Sequence, residues 1–303
     1  MTRILLLGRT GQVGWELNRS LLPLGELIAL SRAEADFSRP ESLRQIVRDV
    51  GAEIIVNAVA YTAVDKAESE EPLARLVNAD APQVLSEEAK RSNALLVHYS
   101  TDYVFDGTKT TPYVEDDKPN PINAYGRTKL AGEQNIQATG CRHLILRTSW
   151  VYSSRGQNFI KTILRLAQQR EELLIVADQV GAPTSARFIA DVTSKILAKI
   201  QPLTSSSPNE EGDLYHLTPS NYTSWHGFAQ TILDAAKSSL LNATKLPTLI
   251  PISTEQYPLP APRPRNSRLK CDKLSTRFGV HFPSWETDVR FCLDELAERN
   301  KIQ

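Results

Sequence analysis

A tyrosine and a lysine four positions apart form the most chemically suggestive pair in this 303-residue sequence. Tyr125 and Lys129 lie in the segment YGRTK, and on a helix residues four apart point to the same side. Reduction of a ketone by a nicotinamide needs a proton for the oxygen as hydride reaches the carbon. A phenol with its ordinary pKa near 10 supplies that proton slowly, whereas an ammonium about 4 Å away would favour phenolate by at most about 4 kcal/mol. The pair therefore indicates a proton donor tuned by a neighbouring cation.

Three polar residues, Ser100, Thr101 and Asp102, close a predicted strand whose carboxyl end would face the same crevice. A threonine hydroxyl at that point could hold a carbonyl oxygen by a hydrogen bond and position it against Tyr125. A tyrosine and a lysine at this spacing more often form an ordinary amphipathic helix surface. Here the pair follows a glycine-rich turn and a strand-ending Ser-Thr in the expected order, and this agreement favours the catalytic interpretation.

The glycine-rich turn GRTGQVG, at 8–14, follows the first predicted strand and opens the first predicted helix. Its glycines, Gly8, Gly11 and Gly14, would permit a tight turn and let the backbone approach a pyrophosphate, whose charge the free amides and the positive end of the helix would hold. The spacing is GxxGxxG rather than the strict GxGxxG, and purely structural glycines would give the same letters. The position of the turn between strand and helix favours a dinucleotide site.

Two further segments follow predicted strands at the same edge of the sheet. After the second strand stand Ser31 and Arg32 in place of the acid that usually grips the adenosine ribose, and an arginine there can accept a 2′-phosphate. This favours NADPH, although NADH stays possible because Arg32 could equally be a solvated charge beside Glu34 and Asp36. After the third strand, the small residues of the Asn-Ala-Val-Ala segment at 57–60 would let a nicotinamide ribose pass.

Short β-rich runs alternate with helical patterns through the first half of the chain, which is typical of βαβ units. Several of the runs are apolar on both faces, so the sheet should be parallel with helices on each side. This predicts an α/β fold with a doubly wound, Rossmann-like parallel sheet. The predicted strands are Arg3 to Leu7, Glu26 to Leu30, Glu53 to Val59, Leu95 to Ser100 and His143 to Thr148. The predicted helices are Gly11 to Pro23, Pro40 to Val50, Asp80 to Ser92 and Tyr125 to Thr139.

Beyond Trp150 the pattern loosens, and we expect a dinucleotide-binding domain at 1–150 and a mainly substrate-binding lobe at 151–303. Segments near 172–200 and 213–217 should return to the first domain. The stretch Pro202 to Gly212, rich in serine, proline and acidic residues, is predicted to be an exposed loop. The predicted strands of this half are Leu173 to Val176, Asp213 to Leu217 and Thr248 to Ile252, and the predicted helices are Phe159 to Gln169, Ala186 to Ile200, Ser224 to Leu240 and Ser284 to Asn300.

Charge and cysteine content argue against several classes of protein. Lysine plus arginine and aspartate plus glutamate both number 35, so the formal net charge is zero and no long-range field favours nucleic acid or an anionic membrane. The three cysteines, Cys141, Cys271 and Cys292, are far apart and lack metal-ligand spacing, which is typical of reduced thiols. No stretch approaches the length that spans a bilayer. We therefore expect a cytoplasmic protein with no nucleic-acid or membrane partner.

Seven segments, spread nearly end to end, form a highly specific set of motifs. They are GRTGQVGWEL at 8–17, NAVAYTAVDKAE at 57–68, STDYVFDG at 100–107, YGRTKLAGE at 125–133, RTSWVYS at 147–153, DQVGAPT at 178–184 and RPRNSRL at 263–269. Together they resemble the dTDP-4-dehydrorhamnose reductases, a family of the extended short-chain dehydrogenase/reductase superfamily. The resemblance implies NAD(P)H-dependent reduction of the C4 ketone of dTDP-4-dehydro-L-rhamnose to dTDP-L-rhamnose, the last step in making that activated sugar.

The resemblance also implies a role for individual residues. The catalytic residues of the family match Thr101, Tyr125 and Lys129. Cofactor contacts are expected at Gly8, Thr10, Gly11, Gln12, Val13, Gly14, Arg32, Asp36, Phe37, Ala58, Val59, Ala60, Tyr61, Tyr125 and Lys129. Contacts to a dTDP-linked 4-keto-6-deoxy sugar are expected at Thr101, Asp102, Tyr103, Trp150 and Arg263. From the residues alone Trp150 could equally belong to the core, whereas Arg263 lies in a proline-stiffened run that would pre-place a guanidinium for a diphosphate.

One departure from the family pattern concerns a metal ion. Some relatives dimerise through magnesium bridged by acidic side chains, and Glu16 matches one of these acids. Arg187, however, stands where another carboxylate would be expected, and a cation beside such a site is unfavourable. We therefore expect no metal ligands in this chain and regard Mg²⁺ as doubtful, with a monomer and a homodimer both open.

Two other functions stay open at this point. A non-catalytic regulatory or partner-binding subunit could have the same fold, although an intact Thr101, Tyr125 and Lys129 argue against it. A reductase of another nucleotide-linked 4-keto sugar would keep all three residues. The pocket residues alone do not separate that alternative from the rhamnose pathway.

Overall fold

A six-stranded, wholly parallel sheet forms the centre of the protein in the computed structural model, which describes residues 1–200, 212–237, 240–241 and 246–302. Four of its strands are buried along nearly their whole length because helices cover both faces. The predicted doubly wound α/β fold is confirmed. In the order of the sheet, the strands are β10 (Asp213–His216), β5 (His143–Thr148), β4 (Leu95–Thr101), β3 (Ile54–Asn57), β1 (Arg3–Leu7) and β2 (Glu26–Leu30).

The order of the strands reverses at β1, which pairs with β2 on one side and with β3 on the other. Ligands of open parallel sheets bind outside the carboxyl ends of the strands at such a switch point. The register brings three strand ends into line there, since Leu7 pairs with Asn57 and Asn57 pairs with His98. One strand further on, Thr101 pairs with Thr148. The residues predicted to do chemistry therefore follow neighbouring strands at one edge of the sheet.

Two apolar layers flank this sheet. Alternate residues of β1 enter opposite layers, as the period of a strand requires, so that Ile4 and Leu6 join one core and Leu5 and Leu7 the other. The first layer is closed by α1 and α8, which pack on each other, and the second by α2, α5 and α6. These helices are α1 (Gln12–Ser20), α2 (Ser42–Val50), α5 (Ala81–Ser92), α6 (Ala124–Thr139) and α8 (Ala186–Ile200).

A third apolar core lies in the second half of the chain, around Tyr152, Phe228 and Trp285. Among the described residues its longer strands are β7 (Glu172–Val176) and β12 (Thr248–Ile252), which pair in parallel. The elements of this half not yet given are β6 (Val151–Tyr152), α7 (Phe159–Ala167), β8 (Val180–Gly181), β9 (Thr184–Ser185), β11 (Thr223–Ser224), α9 (Trp225–Ala236), α10 (Asp272–Phe278) and α11 (Trp285–Ile302).

The structure differs from the predicted elements mainly between β3 and α5. The third strand ends at Asn57 rather than Val59, and two short helices, α3 (Val64–Ala67) and α4 (Glu71–Arg75), follow it. A π-helical turn at Leu76–Asp80 then leads directly into α5. The predicted helix at 224–240 ends at Ala236. Most of the loop predicted at 202–212 lies outside the described residues, and within them no helix is both long enough and apolar enough to cross a membrane.

Candidate active site

The glycine turn between β1 and α1 is built for close backbone contacts. Gly8 adopts a φ of +89°, and a β-carbon added there would lie 2.8 Å from Val59 Cγ2. A β-carbon on Gly14 would lie 2.0 Å from the carbonyl oxygen of Gly8. Helix α1 begins at Gln12, and its N-cap residue Gly11 provides no side-chain hydrogen bond to the first turn. The turn therefore keeps the amides and the helix end that a pyrophosphate requires.

The other residues of the turn have separate environments. Thr10 is exposed, whereas the Val13 side chain packs against the first core layer. Gln12 Oε1 accepts hydrogen bonds from Ser153 Oγ at 3.1 Å and from Asn158 Nδ2 at 2.9 Å. The predicted cofactor residue Gln12 therefore also holds the loop at 153–158 over the turn.

A further contact of that loop was not found from the sequence. The guanidinium of Arg155 lies 3.6 Å from the ring centroid of Trp15, beside the same turn. No local pattern links positions so far apart in the chain. Only the fold brings them together.

The residues after β2 were predicted to face the adenosine ribose. Arg32 is exposed, and Asp36 Oδ1 accepts from the Ser38 amide and hydroxyl at 3.0 and 2.8 Å, which holds the pKa of Asp36 below its usual value. Phe37 is only 2% exposed and packs in the second core layer, so its backbone alone can face a cofactor. The adenine-side contact expected at Asp36 and Phe37 stays a prediction.

Glu34 was not predicted as a site residue, yet it organises this corner. Its carboxylate accepts from the Ser31 amide at 2.8 Å and from the Ser31 hydroxyl at 2.7 Å. It also pairs with the Arg9 guanidinium at 3.2 Å. These Ser31 bonds, helped by Arg9, lower the pKa of Glu34. An ionised acid therefore stands between two strand ends close to Arg32.

The strip after β3 lies beside the glycine turn. Ala58, Val59 and Ala60 are half-buried, and the Val59 amide donates to Asn57 Oδ1 at 3.0 Å. The Tyr61 amide donates to Asn78 Oδ1 at 2.8 Å, and its hydroxyl donates to Glu70 Oε2 at 2.5 Å. That carboxylate raises the pKa of Tyr61 to about 12. Side-chain amides thus fix the backbone of the whole strip.

The predicted catalytic tyrosine and threonine meet at the end of β4. Tyr125 lies in the first turn of α6, which Asn123 caps by accepting from the Gly126 amide at 2.8 Å. The hydroxyl of Thr101 donates to Asp102 Oδ1 at 3.0 Å and accepts from the Tyr103 amide at 3.2 Å, and it lies near enough to the Tyr125 phenol to affect its pKa. The Tyr103 ring meets the Tyr125 ring edge to face at a centroid distance of 5.7 Å.

The pKa of Tyr125 corrects one prediction. Burial raises the pKa of Tyr125 to about 12, the Asp102 carboxylate adds to that, and the Thr101 hydroxyl opposes it. The expected lowering by Lys129 is therefore wrong for the protein alone, because desolvation of the phenolate outweighs any help from a nearby cation. At neutral pH the phenol carries its proton.

Lys129 instead contacts β4. Its side chain is 1% exposed, and Nζ lies 3.1 Å from His98 Nε2 and donates to the Tyr99 carbonyl at 2.6 Å. Burial lowers the pKa of Lys129 to about 8, against the opposing charge of Glu133. Sequence reasoning missed His98, although it stands three residues before Thr101 and directly after the apolar run 95–97.

The three remaining substrate candidates, besides Thr101 and Tyr103, have distinct surroundings. Asp102 is 3% exposed, and burial raises its pKa to about 7. Trp150 has a φ of +46° and stacks on Trp225 at a centroid distance of 3.6 Å. Such a backbone conformation is strained for a bulky residue and is found most often at functional sites.

Arg263 forms a bidentate ion pair with Asp65. Its Nη1 and Nη2 lie 2.7 and 2.8 Å from the two carboxylate oxygens of Asp65, and Nη1 also donates to the Ala261 carbonyl. This pair lowers the pKa of Asp65. The Arg263 side chain is 13% exposed, and its charge bears on Tyr103, whose ring packs against the Tyr125 ring. Asp65, which the sequence did not single out, fixes the Arg263 guanidinium in that position.

The acidic position expected from metal-bridged relatives is filled by an internal cation. Arg187 lies 3.5 Å from Glu16 Oε2 and 2.7 Å from Glu295 Oε2. The Arg19 guanidinium approaches the same Glu16 oxygen at 3.6 Å. Over the described part of the chain, no group of three or more histidine, cysteine or acidic side chains has the arrangement of a metal site.

The doubly wound sheet and the glycine turn at its switch point are those of an oxidoreductase of the extended short-chain dehydrogenase/reductase class. The chain belongs to the family described as the RmlD substrate binding domain, whose model matches residues 1–298. The resemblance found in the sequence is therefore confirmed.

Named relatives agree with that family. The chain is 49% identical to a dTDP-4-dehydrorhamnose reductase of Burkholderia thailandensis, over 98% of this chain and 100% of the relative. It is 46% identical to the enzyme of that name from Escherichia coli K12, over 99% of both chains. It is similar to the solved Bacillus anthracis dTDP-4-dehydrorhamnose reductase in complex with NADP, with a TM-score of 0.87, 32% identity and coverage of 97% of this chain and 100% of that one.

Proposed function

We propose that this protein catalyses the NAD(P)H-dependent reduction of the C4 ketone of dTDP-4-dehydro-L-rhamnose to dTDP-L-rhamnose. The observation that carries the proposal is the placement of buried Tyr125, in the first turn of α6, beside Thr101 at the carboxyl end of β4, on the sheet edge that also holds the glycine turn. Relatives that match this chain over nearly their full length have that enzyme name. A regulatory subunit would have no need of such a buried donor pair.

The residues of this chain divide the work as follows. A reduced nicotinamide, when bound, would supply the hydride for C4. When the ketone binds, the Thr101 hydroxyl turns its single proton from Asp102 Oδ1 to the ketone oxygen and orients that oxygen toward Tyr125. The Tyr125 phenol, which its raised pKa keeps protonated at neutral pH, gives its proton to that oxygen as negative charge develops there. A raised pKa suits a group that must start as the acid.

The substrate side follows from the positions of the remaining candidates. Asp102 and Tyr103 flank Thr101 in sequence, Tyr103 packs on the Tyr125 ring, and Trp150 offers an aromatic face for the sugar. Arg263 contacts the diphosphate, because its guanidinium is already fixed by Asp65 and desolvated on most sides.

For the cofactor, we infer NADPH with NADH as an alternative donor. The fit rests on the open first turn of α1 and on glycines whose β-carbons would collide with the turn itself. Arg32 is exposed and available to a 2′-phosphate, although the ionised Glu34 nearby disfavours that anion. The solved Bacillus anthracis relative is a complex with NADP.

Neither a metal ion nor a metal-linked dimer is part of the proposal. Arg187 already neutralises Glu16 and Glu295, and a divalent cation would have to displace it. A monomer or a homodimer formed by other contacts both fit. The cytoplasm is the proposed location, because all three cysteines are free thiols and the substrate is a nucleotide sugar.

A steady-state assay tests the proposal. The purified protein is given dTDP-4-dehydro-L-rhamnose with NADPH or NADH, and the sugar product is identified. Oxidation of the nicotinamide with formation of dTDP-L-rhamnose is expected. Turnover only with another nucleotide-linked 4-keto sugar would reassign the substrate, and no oxidation with any of them would indicate a regulatory subunit.

A further inference from the structure

A chain of hydrogen bonds runs from the end of β3 to Lys129 through two buried side chains. Asn57 Oδ1 accepts from the Val59 amide at 3.0 Å, and Asn57 Nδ2 lies 3.1 Å from His98 Nδ1. His98 Nε2 lies 3.1 Å from Lys129 Nζ, which also donates to the Tyr99 carbonyl at 2.6 Å. Asn57, His98 and Lys129 are each at most 1% exposed, so the protein itself must match their donors and acceptors.

The direction of every bond follows from the first. A backbone amide can only donate, so the Asn57 carbonyl oxygen must face Val59 and its NH₂ group, a pure donor, must face His98. His98 Nδ1 is therefore an acceptor. Burial keeps the pKa of His98 well below its usual value, so the ring is neutral and its single proton lies on Nε2.

That proton points at Lys129. An ammonium has three donors and no acceptor, whereas a neutral amine has a lone pair that can accept from His98 Nε2 while one of its own hydrogens still bonds the Tyr99 carbonyl. Only the neutral amine matches all the bonds of the chain.

We propose that Asn57 and His98 are positioning residues that hold Lys129 as a neutral amine in the protein alone, through a one-way hydrogen-bond chain that starts at the Val59 amide. The part of Asn57 and His98 in catalysis rests on the proposed reductase function. The direction of the hydrogen bonds is independent of that function, because it follows from the contacts alone.

The charges around Lys129 permit the neutral form. On its own helix the facing acid is Glu133, but two bonds of 2.8 and 2.6 Å tie that carboxylate to Arg147 of β5. From β4 the facing titratable group is His98, and His143 of β5 bears on His98 in turn. Burial is the largest influence on Lys129 and lowers its pKa, the direction that favours the neutral amine.

Protonation of Lys129 would require every side-chain hydrogen bond between Asn57 and Lys129 to reverse its donor and acceptor. His98 Nε2 would then accept, its proton would move to Nδ1, and Asn57 would have to turn its oxygen toward the ring, which leaves the Val59 amide without its acceptor. The Val59 side chain lies against Gly8 of the glycine turn. A ligand that accepts from the Val59 amide would therefore favour the lysine cation, and by linkage the charge of Lys129 would affect that ligand's affinity.

The first test is the ¹⁵N NMR spectrum of the full chain labelled in its histidine rings, with the His98 signals assigned by their loss in His98→Gln. The proton of His98 is expected on Nε2, with Nδ1 unprotonated. A proton on Nδ1, or on both nitrogens, would overturn the proposal. No substrate or turnover is involved, so this result is independent of the reductase assignment.

The second test reverses the direction of the hydrogen bond between residue 57 and His98 with one isosteric substitution. In Asn57→Asp the carboxylate can accept from both the Val59 amide and a His98 Nδ1 proton, so the His98 tautomer should switch and the basic limb of the pH profile of kcat/KM should move up by about one unit or more. Asn78→Asp is the control, because it places a carboxylate at another fully buried asparagine that takes no part in these hydrogen bonds. It should leave the His98 tautomer unchanged. An unswitched His98 in folded Asn57→Asp would contradict the proposal, and if that variant does not fold, the wild-type spectrum decides.

Discussion

The α-carbon of Gly14 faces the carbonyl oxygen of Gly8 so closely that an added β-carbon would lie 2.0 Å from that oxygen. The same oxygen accepts a hydrogen bond from the Gly11 amide at 3.0 Å, so it cannot move without opening the turn. Gly11 is different, because the nearest atom to its β-carbon would be 3.5 Å away, an ordinary contact. The two glycines therefore have separable roles, one inside the turn and one on its outer surface.

Gly14→Ala should lower the free energy of unfolding by about 1–3 kcal/mol, because overpacking forces the turn apart. Gly11→Ala should leave the stability nearly unchanged, while both variants weaken binding of NADPH. Thermal unfolding and cofactor titration of the two variants measure this. If Gly14→Ala and Gly11→Ala were equally stable, the turn would adapt to the added β-carbon, and the close contact between Gly14 and the Gly8 carbonyl oxygen would not affect stability.

Tyr125→Phe should reduce turnover by two to four orders of magnitude and leave cofactor affinity nearly intact, since it removes the proton donor without emptying the space. The matched control is Tyr99→Phe, which removes a hydroxyl bonded to Thr193 at 2.8 Å on the same strand as Thr101. That variant should retain near-normal kcat. A Tyr125→Phe enzyme of ordinary turnover would remove the phenol from the mechanism.

The elements that position the site could be predicted because their signals are local. The five strands of the first half are apolar runs bounded by polar residues, and four of them begin and end in the structure within one residue of the prediction. The glycine turn was predicted for the same reason, since a strand, three glycines and a helix follow each other directly at 3–20. Local patterns of this kind need no tertiary information.

The contacts that set the chemistry could not be predicted, because they join distant positions. Arg263 and Asp65 are 198 residues apart, and nothing in either segment names the other. The pKa of Tyr125 depends on how deeply the phenol is buried, which the spacing to Lys129 does not reveal. Phe37 was assigned to the cofactor by resemblance, yet it lies in the core.

Arg32→Ala should weaken NADPH more than NADH if the guanidinium holds the 2′-phosphate. Arg39→Ala is the control for general positive charge, because it is also exposed and also near Asp36. It should weaken both cofactors equally. Kd values for both nicotinamides, measured at one ionic strength, decide the matter, and an equal loss in Arg32→Ala would dismiss the phosphate contact.

Arg263→Lys should raise the KM for the dTDP sugar about tenfold or more and change kcat less, because lysine cannot form the fork that Arg263 makes with Asp65 and would make with a diphosphate. Arg265→Lys, in the same segment, alters an exposed pair with Glu255 and should change neither constant. If the two variants behave alike, Arg263 serves only to anchor its segment.

Asp102→Asn should change stability in a pH-dependent way. Burial raises the pKa of Asp102 to about 7 in the folded state, against about 3.9 when unfolded, so the folded protein holds this proton more tightly between those values. The resulting stability is complete below about pH 4 and is lost as the pH rises through 7. Asparagine carries no such loss, so the variant should gain stability relative to wild type between pH 5 and pH 8, by up to a few kcal/mol.

The control for this change is Asp106→Asn, four residues further on. Hydrogen bonds, the first from the Thr108 amide, lower the pKa of Asp106 to about 2. The stabilisation that the ionised Asp106 carboxylate provides is therefore lost only in acid, and the difference in stability between Asp106→Asn and wild type should stay constant between pH 5 and pH 8. Chemical denaturation of wild type and both variants at the two pH values gives the comparison. If the difference between Asp102→Asn and wild type is as flat as that of the control, Asp102 is ionised throughout, and its carboxylate then competes with the ketone oxygen for the single hydroxyl proton of Thr101.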